Sequence, residues 1–185
     1  MTTEIAQRRH GMVAIAFGLA TAALYVLMIT VTLDHIETLS GQIAFDMRPS
    51  GYSPQEAAEL LDALGKEGRT YYLARQIPLD IVFPALLAMT LVSAICWFGV
   101  RLPNRKLVRF GIALSVSAAL FDYAENLGVS LMILNWPDLS HALVHATSAA
   151  SVAKASLTTV AALTTLLLGA IWMRRRLNNV PEPSK

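Results

Sequence analysis

The sequence predicts an all-α integral membrane protein: a bundle of four transmembrane helices with a short extracytoplasmic helical segment between the first two. Three observations carry this. Four segments hold about 20 or more mainly apolar residues, the length a helix needs to cross a bilayer. Only 15% of the 185 residues are charged while 55% are hydrophobic, and mean hydropathy is +0.50; soluble domains carry roughly 25% charge. Arginine and lysine, finally, cluster at alternate ends of the apolar segments, as the positive-inside rule requires.

Taken in order, the spans are expected at about residues 12–33, 77–100, 110–134 and 144–173, within one membrane domain over 1–177. The first is too long for a signal-peptide core. No A-x-A-like cleavage site follows it before Asp34, so it reads as a retained helix. Arg8 and Arg9, then Arg101, Arg105, Lys106 and Arg109, then Arg174, Arg175 and Arg176 flank the spans on one side. That side is read as cytoplasmic, with both termini inside and the protein placed in the cell membrane. The connection 37–76 is rich in acid and faces outward. Trp97 and Trp172 fall at the inner interface and Trp136 at the outer one.

The outer segment is ordered. Ser53-Pro54-Gln55-Glu56 supplies an N-cap, a proline at the first helical position and a glutamate at the third, a capping box. Ala57, Leu60, Leu61 and Leu64 follow at helical spacing, and Gly65 is a natural stop. This helix either lies on the membrane surface or caps the bundle. A second helical piece from Arg69 leads into Pro78, and residues 178–185, with two prolines, read as a flexible tail.

Charges inside the apolar segments point to a site. Asp80 lies in the second span, Asp122 and Glu125 in the third, and Lys154 in the fourth. Each costs at least about 2.5–3.5 kcal/mol in hydrocarbon unless paired, so such residues are usually buried and functional. At about 1.5 Å per residue, Glu125 and Lys154 both sit about 12 Å below the outer surface and Asp122 about 16 Å. Asp80 lies shallower. The common depth favours one shared cavity toward the outside.

Asp122, Glu125 and Asn126, at i, i+3 and i+4, project from one helix face. Gly111, Ser115 and Ala119 on the third helix, and Ala14, Gly18 and Ala22 on the first, form small-residue ridges that admit a close neighbour. The fourth helix is hydroxylic around Lys154 (Thr147, Ser148, Ser151, Ser156, Thr158). Pro84 has no N–H for the carbonyl of Asp80, which is therefore free to line a cavity. Arg75 is a candidate partner for Asp80, and Arg75 and Tyr72 join Asp80 and Asn126 as candidate ligand-binding groups; Tyr71 and Tyr72 also suit an interface.

The expected function is a pocket, in the outer half of the bilayer, for an amphiphilic or lipid-like small molecule. In an acid–base version Glu125 or Asp122 carries the proton and Lys154 is the electrostatic partner. Competing readings are a structural salt bridge fixing helix register, a non-catalytic subunit or assembly factor of a larger membrane complex or homo-oligomer, and a proton or cation pathway. Membrane lipids are expected partners. Nucleic acid is not, because the net charge is only +2 and no basic stripe interleaves with aromatics.

No cofactor follows from the sequence. There is no nucleotide-binding glycine loop or nucleophile elbow, and none of the four histidines lies deep enough in a helix to hold haem. His141 and His145, with Asp34 and His35, are weak candidates for a metal. Cys96, the single cysteine, has no evident activating base.

Overall fold

Hydrocarbon leaves backbone polar groups no solvent partner, so a chain this apolar folds with its hydrogen bonds inside helices. A computed structural model shows this arrangement. It describes the backbone of residues 2–100 and 105–178, with side chains from 9 to 100 and 105 to 175. The tail expected from 178 lies outside the described residues beyond Asn178, as does Arg101.

Helix α1 (Thr2–Leu27) passes through a π-helical turn, Met28–Thr32, into α2 (Leu33–Ser40). Gly41, in the left-handed region at φ 67°, ends it. An irregular strap with one 3₁₀ turn, Phe45–Met47, follows. Then come α3 (Pro54–Ala63), α4 (Gly65–Tyr71), a second π turn (Tyr72–Gln76) and α5 (Ile77–Gly99). Helices α6 (Arg105–Leu134) and α7 (His141–Asn178) complete the chain. Four continuous helical stretches are long and apolar enough to cross a membrane: Arg9–Ser40, Gly65–Gly99, Arg105–Leu134 and His141–Arg175. The protein is an all-α, multi-pass, four-helix membrane bundle.

The helices overrun the spans expected from hydropathy because their polar ends stay helical beyond the apolar run. Gly65 stops α3 at a positive φ of 57°, yet helix resumes at once, earlier than the expected start at Arg69. The capping box at Ser53 and Glu56 is formed in both directions. Helix α3 caps the bundle: Ala57, Leu60 and Leu61 are buried, and α3 packs on α7 and α2.

Helix α5 is the hub, packing on α1, α6 and α7, while α6 and α7 share the most extensive contact. On α1 the contact face differs from the expected ridge. Gly11, Ala14 and Thr21 are buried, but Ala22 is exposed, because the helical repeat carries Ala22 off the seam that α5 covers. A Cβ at Gly11 would meet the Trp97 ring at 2.8 Å. On α6, Gly111 and Ser115 are buried as expected.

Two apolar clusters hold the ends. At the strap end Ile36, Phe45, Leu60, Tyr72, Met132 and Val144 pack together. At the other end are Ile95, Val108 and Leu168, with Trp97, Phe98 and Trp172 in ring contact nearby. Polar residues are buried between them, and they form the site.

Candidate functional site

The third and fourth spans meet through an acid–amine knot. Lys154 Nζ lies 3.2 Å from Asp122 Oδ1 and pairs with Glu125 Oε2. Ser151, one turn before Lys154, donates from Oγ to Glu125 Oε1 at 2.7 Å. Glu125 is wholly buried, and Asp122, Asn126 and Asp80 are nearly so. The four charged residues singled out in the spans therefore converge; none extends singly to water.

Local helix geometry explains the convergence. Asp122, Glu125 and Asn126 share one face of α6, and Thr147, Ser151 and Lys154 share the facing stripe of α7 at i, i+4 and i+7. Gly128 lets the stripes close: a Cβ there would overlap the Thr147 side chain. On α5, Pro84 leaves the Asp80 carbonyl without its helical donor, and Asn126 Nδ2 takes the place, donating to that oxygen at 2.9 Å. The free carbonyl expected from Pro84 is thus a fixed inter-helix bond.

The strap adds a fourth carboxyl. Asp46, on the 3₁₀ turn, accepts from the Tyr72 hydroxyl at 2.5 Å and from Gln76 Nε2 at 3.5 Å, both on Oδ2. It also lies within side-chain hydrogen-bonding reach of the Asp80 carboxyl, a contact that needs a shared proton or a cation, and it adds negative charge near Asp122, Glu125 and Lys154. Gln76 is held in turn by Thr32, whose Oγ1 donates to Gln76 Oε1 at 2.5 Å. Thr32 and Gln76 each end a π turn, and such turns re-aim side chains and recur at functional sites.

Neighbouring strap residues form a plug. Phe45 is fully buried against Tyr52 and Tyr72. Gly51, at φ 82°, lies so close to α7 that a Cβ would meet Ser148 Oγ at 2.6 Å. The next residue, Tyr52, donates its N–H to the same oxygen at 2.8 Å. The Tyr52 phenol is buried beside Ser151 and Glu125, and burial, then the Glu125 charge, raises its pKa well above the usual tyrosine value. It therefore stays protonated.

Several buried polar atoms have no hydrogen-bond partner: Asp46 Oδ1, Asp80 Oδ2, Asn126 Oδ1 and the Tyr52 hydroxyl, with Glu125 Oε2 held only by its ion pair. Buried polar groups are normally bonded, so several orphans around one point call for an explanation. Most of them are acceptors.

One expectation differs from the structure, and the weak metal candidates stay apart from the site. Arg75 does not reach Asp80; it is exposed and lines a separate open groove with Lys66, Glu67, Thr70, Tyr71 and Ala74. The π turn places Gln76, not Arg75, on the inward face. The metal candidates Asp34, His35, His141 and His145 are all exposed, and the His35 ring lies tilted against Tyr71, centroids 4.3 Å apart. Among the described residues no three histidine, cysteine, aspartate or glutamate side chains are grouped to hold a metal. Tyr72 does join the site, through Asp46.

Asp46, Tyr52 and Gln76 were not legible beforehand. Ser151 had a signal in its spacing from Thr147 and Lys154. Compared with protein families, curated proteins and solved structures, the chain matches none of them.

Proposed function

We propose that this buried cluster is the head-group end of a binding site for an amphiphilic, lipid-like small molecule, with the strap and α3 as its cover. The observation that carries the reading is the group of orphaned acceptors beneath the plug. A salt bridge that served only helix register would satisfy its own members, as Lys154, Asp122 and Ser151 do here. With both carboxyls ionised, Asp46, Asp80 and Asn126 keep unused acceptor oxygens in a buried place, which costs free energy unless a proton or a ligand donates to them.

The apolar flanks suit a tail. Large side chains of α1 and the π turn after it, including Leu19, Val26 and Val31, are exposed along the spans and match lipid or a lipid-like chain. In this reading the strap end faces outward, both termini are cytoplasmic, and the protein sits in the cell membrane, because the basic residues lie at the opposite end. Lys154 fixes Asp122 and Glu125, and Ser151 orients Glu125. These groups are also placed to exchange a proton with a bound head group, which is the acid–base form of the proposal.

The test is ligand-induced stabilisation. Protein purified in mild detergent with its copurifying lipids is compared with Glu125→Gln and Asp122→Asn. The proposal expects both variants to fold and Glu125→Gln to lose the thermal stabilisation given by the native lipid extract. Retention of full stabilisation by both contradicts it. A stable protein partner at fixed stoichiometry, with no bound amphiphile, favours the reading as a subunit of a larger complex instead.

A further inference from the structure

The cluster holds one amine and four carboxyls, and the amine is committed. Lys154 reaches Asp122 and Glu125 and makes an ion pair with neither Asp80 nor Asp46. Asp46 and Asp80 lie within side-chain hydrogen-bonding reach of each other, and two carboxyls in that contact need either a shared proton or a cation between them. Arg75, the nearest basic residue in sequence to Asp80, is turned outward.

The remaining bonding capacity around the pair has a definite sign. Asp46 Oδ2 is already served by Tyr72 and Gln76. Asp46 Oδ1 and Asp80 Oδ2 are buried without a donor, and so is Asn126 Oδ1. The Asn126 amide is oriented by its own bond to the Asp80 carbonyl, so its oxygen, not its nitrogen, is the free end. Asp80 is 2% exposed and Asn126 3%, so water cannot reach them freely. With both carboxyls ionised, two carboxyl oxygens and one amide oxygen thus lack donors. Like charges lie close there and screening is weak, so a bound cation takes the place of the proton the pair would otherwise share. An anion would be repelled there. A neutral hydroxyl carries a single donor for three acceptors. A primary ammonium carries three N–H donors and a compensating charge.

We propose that Asp46, Asp80 and Asn126 bind the primary ammonium group of an amine-bearing amphiphile, beside the site that Lys154 already fills. The inference rests on the reading of the cluster as an amphiphile site and names the head group. Tyr72 and Gln76 are positioning residues: they hold Asp46 by one oxygen so that the other stays free. The oxygens are acceptors from three separate elements (strap, α5 and α6), so the ammonium also ties the plug to the bundle. No covalent step is involved.

The experiment uses the full chain in neutral phosphatidylcholine nanodiscs and three probes of equal chain length: dodecylamine, dodecyltrimethylammonium and dodecanol. Saturable binding is read by thermal shift and by isothermal titration. Dodecylamine is expected to bind at least tenfold more tightly than the other two, because the quaternary ion has charge without N–H donors and the alcohol a single donor without charge. Asp46→Asn and Asp80→Asn are each expected to weaken dodecylamine by about tenfold or more. Dodecanol affinity should be unchanged. Asp46→Asn keeps an acceptor for Tyr72 on the half-buried strap, so it remains informative where Asp80→Asn fails to fold. Equal binding of amine and alcohol, with Asp46→Asn silent, overturns the ammonium assignment and leaves the amphiphile site standing. Tighter binding of the quaternary ion overturns the N–H donor argument. Absence of saturable binding by all three probes overturns the ammonium proposal and counts against the amphiphile reading too.

Discussion

Replacing Lys154 with methionine keeps much of the side chain's volume and removes the amine that Asp122 and Glu125 share. Glu125 is fully buried and the Asp122 side chain is 7% exposed, so neither finds water in compensation. Breaking one partner out of a buried ion pair typically costs about 3–5 kcal/mol, because a charge is left buried and unpaired. Two carboxylates depend on this amine, and Asp46 and Asp80 add like charge nearby. Polar contacts in membranes run weaker than in water-soluble cores, since the unfolded chain in lipid also finds partners. A loss near the lower end, about 3 kcal/mol, is therefore expected, roughly a hundredfold in the unfolding equilibrium. The assay is reversible unfolding in mixed micelles of mild detergent and dodecyl sulfate, followed by circular dichroism. The triple variant Lys154→Met, Asp122→Asn, Glu125→Gln removes the charges together and should lose much less, about 1 kcal/mol or under, since neutral replacements of a buried network are often tolerated. A Lys154→Met loss under about 1 kcal/mol, or a triple variant worse than the single one, refutes the buried-knot reasoning.

Other expectations are narrower. Tyr72→Phe removes the nearer of the two donors to Asp46 and should cost about 1–3 kcal/mol, and it should raise protease cleavage within 42–52 as the plug loosens. Gly128→Ala drives a methyl into Thr147 and should cost about 1–3 kcal/mol by overpacking; combining it with Thr147→Ala should recover most of that loss, which unfolding curves of both variants would show. Glu56 is held below its ordinary pKa of 4.5 by the Ser53 backbone N–H and side chain. A depressed folded pKa stabilises the protein above the unfolded value and loses that stabilisation as pH falls through the folded one. The stability gap between wild type and Glu56→Gln should be constant above about pH 5 and shrink under more acid conditions.

The spans and buried charges were readable because both rest on contrast with hydrocarbon. Asp80, Asp122, Glu125 and Lys154 stand out in apolar runs, and i, i+3, i+4 spacing puts Asp122, Glu125 and Asn126 on one face. Pro84 announced a free carbonyl and Asn126 uses it. Asp46 gave no such contrast: an acid in a polar connection is ordinary, and nothing periodic says that this one turns inward beside Phe45. Gln76 and Arg75 show a second limit. A π turn inserts a residue into the helical repeat, so the inward position shifts by one, and a 3.6-residue count picks the wrong neighbour. Gly128 was invisible for a third reason, since a glycine's role in a close approach depends on the residue opposite, here Thr147 on another helix.

The central claim is that the strap's acid enters the bundle and meets the acid of the second span. Paired cysteines test it most directly: Asp46→Cys with Asp80→Cys in a Cys96→Ser background, treated in native membranes with a methylene-bridged bis-thiosulfonate. Intramolecular linkage, seen as protection from later maleimide labelling and lost when either cysteine is omitted, is the expected result. Full labelling of Asp46→Cys by a membrane-impermeant maleimide, with no linkage to Asp80→Cys, would contradict the account.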